Sequence, residues 1–354
     1  MSEGTRISGP RFSRRQALGA LAGAGVLPFA VSAGAAAPAP VRVGYVPVIG
    51  ASAFYVLDKA GWAKDAGLAI TTTKFDSGPA AISALASGTL DVLAIGVAPV
   101  AVAFARGIDV RVIAAGGVGG SLFLAGGPLA KAFADAQGNP AQAFAAFRKA
   151  GGKPARIGAL PPGAVPTTAF RYWLKQNRVD PADLEIVTMG IEATQQALLA
   201  NAIDGGQVLE PAATIVQQRI PAARVIATAP QMLPNAPGVV YAATGAFMRA
   251  RPEAVDTFLK LAIRATDLVR DRPAEAAPYV QQALGSGLVS TAVLEKALAS
   301  PAVSFVIDPH GIVPTTREML DFQVELGDFK SAPKTDGLFD FGPWERVQGD
   351  ARKK

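Results

Sequence analysis

The fold is decided by residues 41–95, which read VRVGYVPVIG ASAFYVLDKA GWAKDAGLAI TTTKFDSGPA AISALASGTL DVLAI. Apolar and β-branched runs in this stretch predict three short strands, over residues 41–46, 68–75 and 91–95. Two helices are predicted between these strands, over residues 51–59 and 79–86. The second helix has Ser77 or Gly78 at its cap and Pro79 in its first turn. Strands that alternate with helices are typical of an α/β protein whose parallel sheet is covered on both faces.

The same order of elements returns further along the chain. Strands are predicted over residues 155–160, 185–189 and 207–209, with helices over residues 166–176 and 193–201. Individual residues also match: Gly44 and Pro47 correspond to Gly158 and Pro161 at an offset of 114 residues. At an offset of 113 residues, Leu85, Leu90 and Asp91 correspond to Leu198, Ile203 and Asp204. The repeat predicts two lobes of like topology, although an Ala-, Gly- and Leu-rich sequence also matches itself by chance.

The last third of the chain is expected to complete the first lobe. A strand is predicted over residues 239–243, and helices over residues 252–270, 273–284, 290–299 and 315–326. The chain should cross between the lobes near residues 121–125 and return near residues 237–242. The predicted lobes are therefore residues 41–122 with 238–354, and residues 123–237. Two crossings form a two-segment hinge, and the cleft between the lobes is the expected ligand site.

Residues 1–37 have the pattern of an export signal. Ser13-Arg14-Arg15-Gln16-Ala17-Leu18 is typical of a twin-arginine signal, although Ala17 stands where Phe is often found. An uncharged, weakly hydrophobic segment follows, and A-x-A cleavage sites lie at residues 33–37. A disordered Ala- and Gly-rich tail with a chance Arg pair is the alternative. Because no cysteine follows this segment, the predicted product is periplasmic or otherwise extracytoplasmic and not lipid-anchored.

The composition excludes several classes of function. The 354 residues include no cysteine and one histidine, which removes disulfides, thiol catalysis and Cys-based metal sites and leaves little for His-based ones. No nucleophile elbow or zinc-protease motif occurs, and Gly116-Gly117-Val118-Gly119-Gly120 lacks the dinucleotide-binding spacing. Without residues 1–37 the net charge is only +3, and no basic cluster with aromatic residues is present. We therefore expect no enzyme, no cofactor, no metal and no nucleic-acid partner.

Loops of small residues follow the predicted strands in both halves. They let the backbone approach a ligand closely, and they lead into helix N-termini, where free N–H groups favour an anion. Each loop taken alone is also compatible with an ordinary tight turn. Together they predict a site for a small oxyanion, held by main-chain amides without a dedicated cation and with hydroxyl donors at Ser77 and Thr167. The candidate ligand-binding residues are Pro47, Ile49, Gly50, Ser77, Gly78, Pro79, Val97, Ala98, Gly163, Ala164, Thr167, Glu210 and Tyr241.

Five further side chains need a separate interpretation. Glu210 would repel an anion unless it is paired, and it would suit a ligand with an amine or amidine; a salt bridge or helix-start carboxylate is the alternative. Tyr241 near the return crossing either flanks the ligand or packs in the core. Arg111 and Arg156 open strands at the end away from the cleft and are expected on the surface. His310, between Pro and Gly, is expected in a turn rather than at a ligand.

Several of these segments resemble the periplasmic solute-binding proteins of nitrate/sulfonate/taurine-type ABC importers. In the first half the similar segments are VGYVP at 43–47, FDSGPA at 75–80, LASGTLDV at 85–92 and GVAP at 96–99. Similar features of the second lobe are Arg156-Ile157-Gly158 with Gly163, and Glu210-Pro211. The Pro252-Glu253 start of the long helix is also similar, so the resemblance spans roughly residues 41–330.

The resemblance implies a type II periplasmic-binding-protein fold, with two Rossmann-like lobes joined by a two-segment hinge. It also implies a monomer that closes on a small solute, of the anionic nitrate, sulfonate or taurine type, and delivers it to a membrane permease with its ATPase. Two alternatives remain from the residues. One is a soluble ligand-sensing protein for a membrane receptor, and the other is a binder of an aminopyrimidine or aromatic compound. A related branch that makes thiamine pyrimidine depends on His- and Cys-rich chemistry, which this chain lacks.

Overall fold

The computed structural model describes residues 38–234, 236–285 and 289–352. The predicted export signal, residues 1–37, lies outside the described residues. The strands are β1 (Ala39–Tyr45), β2 (Leu68–Lys74), β3 (Val92–Gly96), β4 (Val110–Ala115), β5 (Val118–Gly119), β6 (Ser121–Ala125), β7 (Ala155–Ala159), β8 (Leu184–Thr188), β9 (Gly205–Leu209), β10 (Arg224–Thr228), β11 (Val239–Thr244) and β12 (Val303–Ser304). Every strand predicted from the sequence is present, with ends that differ from the predicted ones by at most two residues.

Helices cover both sheets. They are α1 (Ser52–Lys59), α2 (Trp62–Asp65), α3 (Gly78–Ala86), α4 (Val97–Ala105), α5 (Gly127–Asp135), α6 (Pro140–Gly151), α7 (Val165–Gln176), α8 (Ile191–Leu199), α9 (Ala212–Arg219), α10 (Ala229–Met232), α11 (Gly245–Ala250), α12 (Pro252–Asp271), α13 (Pro273–Leu284), α14 (Thr291–Leu298), α15 (Val313–Glu325) and α16 (Gly342–Arg352). Short 3-10 turns lie at Ile49–Ala51, Pro181–Asp183 and His310–Ile312. Among the described helices none is both long and apolar enough to cross a membrane.

The two five-stranded sheets have the same strand order. The first runs β2-β1-β3-β11-β4, and the second runs β8-β7-β9-β6-β10. In each sheet one strand is antiparallel to its neighbours, β11 in the first and β6 in the second. Each antiparallel strand is the one that enters its sheet directly after the chain has crossed from the other sheet. We call the parts built on the two sheets the first half and the second half.

The residue matches of the predicted repeat have a steric cause. A methyl group placed on Gly44 would lie 2.6 Å from Leu90 Cδ1, and one placed on Gly158 would lie 2.9 Å from Ile203 Cδ1. Strands β1 and β7 thus need a glycine, because Leu90 and Ile203, each two residues before β3 and β9, pack directly against it.

A pair of aspartates repeats with the same hydrogen bonds. Asp91 Oδ2 accepts the backbone N–H of Arg42 at 2.9 Å, and Asp204 Oδ2 accepts the backbone N–H of Arg156 at 2.8 Å. In return the backbone N–H of each aspartate donates to the carbonyl of the same arginine, at 2.8 and 2.9 Å. Asp91 and Asp204, which the predicted repeat matches with each other, therefore make the same hydrogen bonds to an arginine backbone in the two halves.

The chain crosses between the halves at residues 116–120 and 236–238. Gly119 has φ +77°, and a methyl group there would lie 2.5 Å from Ala302 O, so the first crossing needs a glycine at this position. The crossing was expected at residues 121–125, but those residues form β6 of the second sheet. The predicted lobe boundary at residues 122/123 therefore falls inside β6. A third segment also contacts the crossings, because β12 pairs with β5.

Two helical regions differ from the sequence-based expectation. Residues 97–105 form α4, a helix that was not predicted from the sequence. The cause is that VAPVAVAFA is apolar on all sides and shows no helical period. Helix α15 was assigned to the first lobe, yet it contacts both α4 of the first half and α7 of the second.

Candidate functional site

The two halves meet at the carboxyl ends of their strands. A methyl group placed on Gly96, the last residue of β3, would lie 4.0 Å from Val165 Cγ2 at the start of α7 and 3.9 Å from Gly238 O. One apolar cluster contains residues of both halves, including Ile95 from β3 and Phe170 from α7. We call the contact between Gly96 and Val165 the junction. It lies where ligands bind in open α/β sheets, outside the carboxyl ends of the strands.

Most candidate residues of the first half are packed inside the protein. Ile49 is 0% exposed, and a methyl group placed on the buried Gly50 would lie 3.1 Å from Val239 Cγ2. Val97 and Ala98 are also 0% exposed, in the first turn of α4. Pro47 is half-buried. These residues pack within the first half, and their side chains offer no polar group.

The start of α3 has a packing role of its own. Ser77 is exposed, and its Oγ accepts the backbone N–H of Ala80 at 3.4 Å as a helix cap. A methyl group placed on Gly78 would lie 2.5 Å from Pro99 Cγ, so this glycine lets α3 approach α4 closely. Pro79 is exposed in the first turn. The Ser77 hydroxyl therefore already acts as a helix cap.

The candidate residues of the second half surround the start of α7. Gly163 has φ +84°, and Ala164 is the N-cap residue of the helix. Thr167 is 3% exposed, and its hydroxyl donates to Leu160 O at 2.8 Å. The backbone N–H of Gly163 donates to Asp328 Oδ2 at 3.2 Å. The predicted anion-binding amide is therefore bound by a carboxylate of the same chain.

Three side chains at this place were not found from the sequence. Arg171 Nη1 lies 3.2 Å from Asp328 Oδ1, and the Asp328 side chain is only 5% exposed. Gln323 Nε2 donates to Gly163 O at 3.0 Å and to the hydroxyl of Thr168 at 2.8 Å. Arg171 and Asp328 are 157 residues apart, and no sequence pattern links them. The site was expected to lack a dedicated cation, and Arg171 corrects that expectation.

Glu210 lies where the two halves contact each other on another side. It follows β9, is 5% exposed, and its Oε2 accepts the backbone N–H and the hydroxyl of Thr214 at 3.1 and 2.9 Å. Burial raises the pKa of Glu210, and hydrogen bonds from Thr214 and Ser300 reduce that effect. Ser300 follows α14, which contacts α9. The carboxyl thus lies between the halves, and one of its oxygens is already bonded.

Tyr241 lies in the core of the first half. The side chain is 0% exposed, and its ring meets that of Phe258 on α12 edge to face, with centroids 5.6 Å apart. Burial raises the pKa of Tyr241, and its hydroxyl has no hydrogen-bond partner among the described residues. This position argues against the predicted ligand contact, because the ring packs against α12 rather than facing the second half.

The remaining predicted side chains lie away from the junction. Arg111 and Arg156 are at the amino-terminal parts of β4 and β7, with side chains 30% and 51% exposed. His310 lies in a 3-10 turn, as predicted; its Nδ1 is 2.7 Å from Asp308 Oδ1 and its ring stacks on that of Phe341. Within the described ranges no group of three or more His, Asp or Glu side chains could hold a metal ion. The polar groups around the start of α7 that could hold a solute are the Gly163 amide, the Arg171 guanidinium and the Gln323 side-chain amide, and each of them is bonded within the chain in this structure.

The two sheets have the same strand order, the chain crosses between them twice, and they meet at the carboxyl ends of their strands. This arrangement defines the class of two-lobed periplasmic binding proteins. Residues 34–285 match the NMT1-like family, and the chain belongs to this family. No curated protein matches the sequence. The family and the α/β type II periplasmic-binding fold were both predicted from the sequence, and both predictions are confirmed.

Solved structures of low sequence identity share the fold. The ligand-binding component of an ABC-type import system from Staphylococcus aureus, described with zinc bound, has a TM-score of 0.71 at 15% identity and covers 87% of this chain and 99% of its own. The nitrate-binding protein NrtA of Synechocystis PCC 6803 has a TM-score of 0.69 at 14% identity, covering 89% of each chain. The aliphatic sulphonate binding protein SsuA of Escherichia coli has a TM-score of 0.65 at 16% identity, covering 84% and 94%. The fold also occurs in DSZB, solved as a cysteine-to-serine mutant in complex with biphenyl-2-sulfinic acid, at 14% identity and a TM-score of 0.61, covering 88% of this chain and 99% of its own.

Proposed function

We propose that this protein is the solute-binding component of an ABC importer. It captures a small anionic solute, of the nitrate, sulfonate or taurine type, between its lobes and delivers it to a membrane permease with its ATPase. The observation that carries the proposal is the junction, where the end of β3 meets the start of α7 close to the Gly163 amide, which shares the Asp328 carboxylate with Arg171. Membership of the NMT1-like family and the named functions of the structural neighbours support it.

Binding works through closure of the two lobes about their crossings. A solute that touches both sides of the junction stabilises the closed state, because the open state offers only one set of contacts. The lobes are joined at residues 116–120 and 236–238, so the second lobe begins at Ser121. Gly119 and Gly120 have φ +77° and +95°, values that glycine adopts without strain.

The proposed protein acts outside the cytoplasmic membrane as a monomer. Residues 1–37 serve as a twin-arginine signal peptide, and no cysteine is available for a lipid anchor. We propose binding rather than catalysis, because the chain lacks cysteine and its one histidine is held in a turn by Asp308 and Phe341. Neither cofactor nor metal is needed for this role.

A thermal-shift panel on the exported protein tests the function. The panel contains nitrate, methanesulfonate, 2-aminoethanesulfonate, aromatic acids and aminopyrimidines, and calorimetry follows every positive result. A true solute at 100 times its Kd should stabilise the folded state by about 2.7 kcal/mol and raise the melting temperature accordingly. If no member of the panel changes the melting temperature, or if a solute is turned over, the binding-protein assignment is wrong.

Transport and sensing are separated by a second assay. The protein is added to vesicles that hold the permease and ATPase, and solute uptake is measured. Uptake that depends on the binding protein supports the importer, whereas a protein that binds solute and activates a membrane kinase instead belongs to the sensing class.

A further inference from the structure

The Asp328 carboxylate lies where an anionic solute would find its best contacts. Its Oδ2 accepts the backbone N–H of Gly163 at 3.2 Å, and its Oδ1 lies 3.2 Å from Arg171 Nη1. An amide ahead of a helix start and a guanidinium together form an anion-binding pair, because both donate to oxygen and the helix dipole adds positive potential. The side chain of Asp328 is 5% exposed and that of Arg171 is 29% exposed. The carboxylate is therefore buried while the guanidinium is partly exposed, and the pair holds one oxyanion at a time.

Gln323 gives independent evidence that a polar solute belongs here. The residue is 0% exposed, and its Nε2 bonds to Gly163 O and to Thr168 Oγ1, which holds the side chain against the start of α7. Its other polar atom, Oε1, is buried and has no hydrogen-bond partner among the described residues. A buried acceptor without a partner is costly, so this position favours a solute that brings an N–H or O–H donor.

We propose that Asp328 occupies the place of the solute's anionic group and competes with it. The inference rests on the proposed function. On binding, the oxyanion of the solute replaces the carboxylate at the Gly163 amide and at Arg171, and a donor of the solute bonds to Gln323 Oε1. The displaced Asp328 leaves the junction together with the segment that follows α15. Asp328 thus sets affinity: only solutes that hold both contacts better than this carboxylate remain bound.

Calorimetry with 2-aminoethanesulfonate tests the competition, because this probe carries both an oxyanion and a donor. Asp328→Ala and Asp328→Asn should bind it more tightly than the wild type, by about tenfold if the carboxylate leaves only a tenth of the sites free. Arg171→Gln should lose most of the binding. Glu325→Ala is the matched control: Glu325, the last residue of α15, pairs with Lys175 of α7, and both side chains are 59% exposed. Its affinity should equal that of the wild type.

Hydrogen exchange on the wild type tests the displacement without a substitution. On addition of 2-aminoethanesulfonate, residues 326–330 should exchange faster while residues 163–168 stay protected. Unchanged or weaker binding in both Asp328 variants, or a segment 326–330 that gains protection, would overturn the proposal. So would an absence of binding in the wild type and all variants. If the panel described above still finds a solute in these cases, the binding function stands and only the role of Asp328 falls.

Discussion

Replacing Gly96 with a larger residue should prevent the lobes from closing. A methyl group fits, because it would lie 3.9 Å from Gly238 O and 4.0 Å from Val165 Cγ2, which are ordinary contact distances. The ring of Gly96→Phe has no such space and must push β3 and α7 apart. Overpacking of this kind costs about 1–3 kcal/mol. The contact is absent in the proposed open state, so the cost falls on the closed state and solute affinity should drop by about 5- to 150-fold.

The absence of cysteine allows a direct measurement of closure. Asp65→Cys and Ala200→Cys place two labels on exposed positions, one in each half, without competing thiols. The distance between the labels is measured for Gly96, Gly96→Ala and Gly96→Phe proteins, and solute affinity is measured by calorimetry. Gly96→Ala should match the wild type in both, whereas Gly96→Phe should give a longer distance and weaker binding. Wild-type affinity in Gly96→Phe would refute the role of the junction in closure.

Three further predictions concern stability. Gly44→Ala and Gly158→Ala should each lower the free energy of unfolding in urea by about 1–3 kcal/mol, since the added methyl groups meet side-chain carbons at 2.6 and 2.9 Å; Gly151→Ala, with nothing within 4 Å, is the control and should not be destabilising. Burial raises the pKa of Glu210, so the folded state holds this proton more tightly than the unfolded state, and the melting temperature of the wild type should fall as the pH rises above 4.5. In Glu210→Gln this fall should be absent. If the melting temperatures of the two proteins change with pH in parallel, the prediction is contradicted. Burial opposes ionisation of Asp91, but the hydrogen bonds from Arg42 outweigh that effect and lower its pKa, so the wild type should lose stability as the pH falls below 3.8. In Asp91→Asn this loss should be absent. A variant whose melting temperature falls at low pH as much as that of the wild type would count against the prediction.

The repeated strand-helix pattern could be predicted because its causes are local. Gly44 and Gly158 match because each packs against a side chain two residues before a later strand, Leu90 before β3 and Ile203 before β9, so both halves carry the same steric requirement at nearly the same spacing. Helix α4 was missed because nine apolar residues buried by neighbours carry no polar face to mark a period. The place of the crossing was missed for a related reason, since β6 is apolar whether it links two lobes or belongs to a sheet.

The candidate site was predicted only in part. The loop before α7 was found from its Gly and Pro residues, but its amide is bonded to a residue 165 positions away. Tyr241 was placed near the correct strand end, yet its ring packs against Phe258 of α12, a contact that no local sequence pattern reveals. Gly78 was expected to let the backbone approach a ligand, but a glycine is needed there because any larger residue would clash with Pro99.

The sequence by itself determined the fold family, the twofold repeat and the absence of thiol chemistry, because strand pattern, glycine spacing and composition are properties of neighbouring residues. Only the tertiary structure decided which charges lie at the junction. Arg171, Gln323 and Asp328 come from two helices and a following segment that meet after both halves have formed, and their contacts follow from the packing of α15 against α7. Electrostatic interactions depend on distance in space, and separation along the chain does not report it.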